Sequence, residues 1–100
     1  MLERIQRAVA DGRFLSGPHT KLRQLEWGIT DLNVRVAVGN DAPEVIEDYS
    51  HDERGPCCLI RGEDEDGVLH VLCTDADPVS LVTVYRPDPH QWYPSFRRRR

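Results

Sequence analysis

One hundred residues suffice for one hydrophobic core and not for two. With 39% hydrophobic and 30% charged residues, the composition is that of an ordinary globular domain and excludes a disordered chain. The formal net charge is −4 although the last four residues are all arginine, so residues 1–96 carry −8, and such a body repels nucleic acid unless cations are gathered locally.

No apolar run approaches the roughly 18 residues of a membrane span, and Glu3, Arg4 and Arg7 stand where a secretory leader needs apolar residues. Cys57, Cys58 and Cys73 are odd in number and lie inside apolar runs, which fits buried free thiols in a reducing compartment. A cytoplasmic protein without membrane contact is expected.

In chain order, Leu2, Ile5, Ala8 and Val9 recur at helical spacing and predict a first helix that ends at Asp11-Gly12. Ser16 ahead of Pro18 opens a second helix, which runs through "HTKLRQLEW" to Gly28 with Leu22, Leu25 and Trp27 expected toward the core. Thr30 is a good N-cap for a third helix, in which Leu32 and Val36 fall four apart and Gly39 closes the segment. After it, "EVIEDY", "CCLIRG", "VLHVLCT" and "SLVTVYR" read as four strands, and the short "EDEDG" connection pairs the middle two as an antiparallel hairpin. Three prolines make "PDPHQWYPSF" irregular, with Trp92 and Phe96 expected to fold back onto the body. Helices first and strands second predict the α+β class: N-terminal helices packed on a four-stranded antiparallel sheet. Residues 1–96 form the expected domain and 97–100 a basic C-terminal tail.

His19 and Arg23 are four apart on the second helix, so one face presents both to a common phosphate. Metal-free RNA cleavage needs a base for the 2′-hydroxyl, a cation for the phosphorane and an acid for the leaving oxygen. His70 and Tyr85, in the third and fourth strands, complete a catalytic set with His19 and Arg23. Each of the four also has a structural reading. His19 can cap the helix, Arg23 can pair with Glu26, and Tyr85 can simply pack. Val68, His70 and Leu72 share a strand face opposite Leu69, Val71 and Cys73, so His70 is either a satisfied core histidine or a reactive one.

Arg61, Arg86, Arg97 and Arg98 are the candidate RNA-binding cations, with Trp92 and Tyr93 as stacking surfaces beside the tail; the alternative for the tail is a solvated appendage. Cys57 and Cys58 diverge, as do His70 and Cys73, so no metal site is expected, and no phosphate loop or nucleotide fingerprint calls for a cofactor.

Across "HTKLRQLEWGIT", "VIEDYS", "GPCCLIRG", "LHVLC" and "VTVYRPDPHQW", the chain resembles the bacterial domain-of-unknown-function 4258 family over nearly its whole length. His19, Arg23, Glu26, Gly28, Ile29, Tyr49, His70, Tyr85, Pro87, Asp88 and Pro89 match the family pattern, whereas Trp27 replaces its Arg and Ser50 its Pro. The resemblance implies kinship with RelE-, BrnT- and MqsR-like toxins of type II toxin–antitoxin systems. It further implies a metal-independent endoribonuclease acting on mRNA, often at the ribosome, and an antitoxin partner carrying a zinc finger and helix-turn-helix. The alternative is a non-catalytic protein-interaction module, favoured by the acidic body.

Overall fold

The computed structural model of the chain describes residues 2–40, 42–53 and 55–100. Ile5, Ala8 and Val9 supply the buried stripe of α1 (Leu2–Ala10), which stops where Gly12 turns the chain at a φ of 76°. A strand of three residues, β1 (Phe14–Ser16), then precedes α2 (Pro18–Trp27) and α3 (Asp31–Gly39). The strands β2 (Glu44–Tyr49), β3 (Cys57–Asp64), β4 (Gly67–Thr74) and β5 (Val79–Tyr85) follow.

The expected α+β class holds, but the sheet has five strands in the order β1-β5-β4-β3-β2, and β1 runs parallel to β5 while the other neighbours are antiparallel. The four-stranded antiparallel expectation is corrected on this point. Three residues are too short to display strand alternation, so only pairing with β5 reveals β1 as a strand.

The helices cover one face. Cys58, Ile60, Leu69, Val71, Cys73, Leu81 and Val84 from the sheet meet Ile5, Val9, Val34, Ala37 and Val38 from α1 and α3 in a single core. Gly62 lets α3 approach β3, since a Cβ there would lie 2.1 Å from the carbonyl oxygen of Ala37. That contact selects the helix face bearing Val34, Ala37 and Val38, and it turns Leu32 and Val36 outward.

The expected core face of α2 is also corrected. Leu22, Leu25 and Trp27 are exposed, and the buried residues are Thr20 and Gln24. The reason is a polar requirement at the sheet edge. β5 bulges at Val82, because Leu72 pairs with Thr83 while Cys73 pairs with Leu81. Thr20 Oγ1 donates to the carbonyl of Val82 at 3.0 Å, satisfying an acceptor there. Gln24 Nε2 reaches Ile29 O and Asp31 Oδ1 across the turn into α3, where Gly28 adopts the left-handed conformation at a φ of 67°. The N-cap of α2 is Gly17, not Ser16, and it makes no side-chain cap, whereas Thr30 and Asn33 form the reciprocal capping box of α3.

Asn33 extends this network. Its Nδ2 donates to Asp64 Oδ2 at 3.1 Å, and Arg86 clamps the same carboxylate with two bonds of 2.8 and 2.9 Å. The Asp64 side chain is only 2% exposed. The start of α3, the end of β3 and the exit from β5 are thereby tied together.

All three cysteines are buried thiols, with Cys58 directly opposite Cys73 on the helix face and Cys57 on the other. No helix among the described residues is long and apolar enough to cross a membrane.

Candidate functional site

Strand register assembles the second face of the sheet. Glu44 pairs with Arg61, Arg61 with His70, and His70 with Tyr85, so four polar side chains form a row across β2, β3, β4 and β5. The adjoining row holds Glu47, Leu59, Leu72 and Thr83. Glu47 joins this face because the β2 register shifts between Val45 and Glu47.

The C-terminal segment crosses this row. Trp92, 1% exposed, packs edge-on against His70 with ring centroids 4.5 Å apart. Ser95 and Phe96 adopt left-handed backbone conformations with φ of 77° and 58°. Their carbonyls accept from Arg61 Nε at 2.7 Å and bond His70 Nε2 at 2.9 Å. Arg97 then forks onto Glu44 and Arg99 onto Glu47, while Arg99 also stacks 4.6 Å over Trp92. Arg98 and Arg100 lie over Tyr93. The arginines thus lie against the body, which shows why Trp92 and Phe96 fold back.

His70 is fully buried, and its tautomer follows from its partners. The Phe96 carbonyl can only accept, so Nε2 carries the hydrogen and Nδ1 is left to accept from the Tyr85 hydroxyl at 3.2 Å. Burial holds the imidazole below its ordinary pKa, and the nearby Arg61 and Arg99 add to that effect, so His70 is neutral at pH 7. Burial likewise pushes the Tyr85 phenol up, with Arg99 acting in the opposite sense. The arrangement can relay a proton: Tyr85 passes its hydrogen to Nδ1 as its oxygen receives another.

Tyr85 opens onto a cleft of about 420 Å³ between α2, the end of β5 and the C-terminal segment. Arg23 and Trp27, one turn apart on α2, form one wall, and Tyr85, Gln91, Trp92 and Arg99 face them. Thr20 and Gln24 dock α2 so that its next face points into this cleft. Arg23 is exposed and makes no hydrogen bond or ion pair among the described residues, and Trp27 is 49% exposed. Arg86 lines the same cleft but is engaged by Asp64, while the acidic wall residue Asp88 binds the N–H and Nδ1 of His90. A second cleft of about 260 Å³ lies between Tyr49 and Tyr85, and Arg99, Thr83 and Tyr85 border both.

Of the residues singled out from sequence, His70 and Tyr85 are in hydrogen-bond contact and Arg23 shares the cleft with Tyr85. His19 is exposed one turn before Arg23 and does not line that cleft. Among the cations, Arg61 is buried and committed to Ser95 and Glu63, Arg86 to Asp64, and Arg97 to Glu44. Trp27 and Arg99 were not singled out as site residues. Trp27 was legible as the partner of Arg23 at helical spacing; Arg99 had no local signal, because its position depends on the fold-back of the tail.

Residues 2–86 match the family described as a domain of unknown function, DUF4258. The chain belongs to that family. Neither a curated protein nor a solved structure matches it. The DUF4258 match ends at Arg86, so the segment that covers His70 lies beyond the matched residues.

Proposed function

We propose that this DUF4258 protein is a toxin-like, metal-independent endoribonuclease acting on mRNA, with the Arg23–Trp27–Tyr85–Arg99 cleft as its RNA site. The observation that carries this reading is the Arg23 guanidinium, without a hydrogen-bond or ion-pair partner among the described residues, in the same cleft as Tyr85 of the hydrogen-bonded Tyr85–His70 pair. Tyr85 takes the proton of a 2′-hydroxyl while its own passes to His70 Nδ1. The new O2′–P bond forms, Arg23 faces the charge on phosphorus, and the proton returns to the leaving 5′-oxygen as the P–O5′ bond breaks. The products are a 2′,3′-cyclic phosphate and a 5′-hydroxyl. A zinc-finger and helix-turn-helix antitoxin is the partner class this reading implies.

The test is incubation of the full chain with an unstructured mRNA fragment in excess chelator. Cleavage that falls by about 10²-fold or more in Tyr85→Phe, as expected for loss of a proton-transfer group, supports the reading. Arg23→Ala is expected to lose cleavage too, whereas His19→Ala, at a residue that does not line the cleft, is expected to retain it. Absence of cleavage, with no growth arrest on expression in a bacterial host, would leave the second reading, a non-catalytic protein-interaction module. That reading is favoured by the exposed leucines Leu22 and Leu25 on α2, which are 54% and 80% accessible.

A further inference from the structure

We infer that Trp27 makes the cleft selective for unpaired nucleotides, acting as a stacking platform for one base while Arg23 holds its phosphate. The inference rests on the RNA reading above and assigns the substrate class within it. Three observations carry it. Trp27 follows Arg23 by four residues on α2, so both side chains rise on one helix face, and both line the same 420 Å³ cleft. Trp27 is half exposed, whereas Trp92 is buried against His70 under the Arg99 guanidinium, so Trp27 alone of the two tryptophans offers an open ring to a ligand. Arg23 lacks a protein partner among the described residues, which leaves its fork available for a phosphate.

The chemistry favours a single strand. In a duplex the base faces are covered by their neighbours, and a tryptophan can reach one only if the nucleotide is splayed out. An unpaired strand presents those faces freely, and every base has one, so the contact confers strand selectivity without sequence selectivity. Aromatic stacking of this kind changes affinity by roughly ten- to a hundred-fold per base. Phosphate contact by Arg23 is indifferent to strandedness and contributes to both forms.

The experiment measures affinity of the full chain for a fluorescently labelled oligouridylate and for a duplex RNA of equal length, at fixed ionic strength. The wild type is expected to prefer the single strand. Trp27→Ala should weaken single-strand binding by roughly ten-fold or more with little effect on the duplex, and Trp27→Phe should restore most of the loss. Circular dichroism checks the fold, which a half-exposed position at a helix end tolerates. Single-strand affinity unchanged in Trp27→Ala, or an equal loss for both RNAs, would overturn the inference. If Arg23→Ala still weakens RNA binding in that case, the proposed RNA site survives without the stacking role. A wild type that binds neither RNA would remove both.

Discussion

Replacing Gly62 with alanine tests whether α3 rests on the β3 backbone as the packing requires. The added Cβ would stand 2.1 Å from Ala37 O, 2.6 Å from Ala37 C and 3.2 Å from Ala37 Cα. An ordinary carbon–oxygen contact needs about 3.4 Å, so helix and strand must part by roughly 1 Å. The neighbours that would separate, Ile60, Leu69, Ala37 and Val38, are all 0% exposed, and a gap of that size forfeits a quarter to a half of each dispersion contact across it. The cost falls at the upper end of overpacking, about 3 kcal/mol, which is a large share of the 5–15 kcal/mol typical of a domain. In a chain of this size that lowers Tm by roughly 12–24 °C. Thermal unfolding followed by circular dichroism measures it. The double variant with Ala37→Gly should not recover, because the atom encountered is a main-chain carbonyl. A Gly62→Ala protein melting within 2 °C of wild type, or one rescued by Ala37→Gly, would refute the reasoning.

Because burial lowers the His70 pKa, the unfolded chain binds its proton first. Stability should therefore fall as pH drops through about 6.5 toward the lowered folded value, and urea midpoints between pH 8 and pH 5 should lose that slope in His70→Gln. Asp64 follows the same sign at lower pH: Arg86 holds its carboxyl below the usual range, so its contribution is present above the unfolded pKa and is lost as pH falls toward the lowered folded value. Arg86→Met should cost about 3–5 kcal/mol in urea unfolding by leaving the enclosed Asp64 carboxylate unpaired, and Arg86→Lys should recover only part, since lysine cannot fork. A chain ending at Phe96 loses the Arg97–Glu44 and Arg99–Glu47 pairs and the Arg99 guanidinium over Trp92, and its urea midpoint should fall below that of the full chain. Salt titration of its RNA affinity should flatten by less than four contacts' worth, at about −0.7 each, because Glu44 and Glu47 already neutralise two of the four arginines.

Local signals determined much of this architecture. Helical periodicity in α1, the Thr30 cap, the short "EDEDG" connection between β3 and β4 and the β-branched runs each act over a few residues, and all were legible before folding. Strand alternation likewise put His70 on the face opposite Val71 and Cys73. What sequence alone did not decide is which face each helix buries and what covers the second side of the sheet. On α2 the leucines suggested a core stripe, but Thr20 turned inward to the carbonyl of the β5 bulge and Gln24 to the turn into α3, which left Arg23 and Trp27 toward the cleft. On α3 the backbone contact at Gly62 set the rotation. The enclosure of His70 depends on residues more than twenty positions away, whose carbonyls and guanidinium groups meet the sheet only after the chain has doubled back. Periodicity describes a segment's own faces; the choice among them belongs to the partner surface, which exists only in the folded molecule.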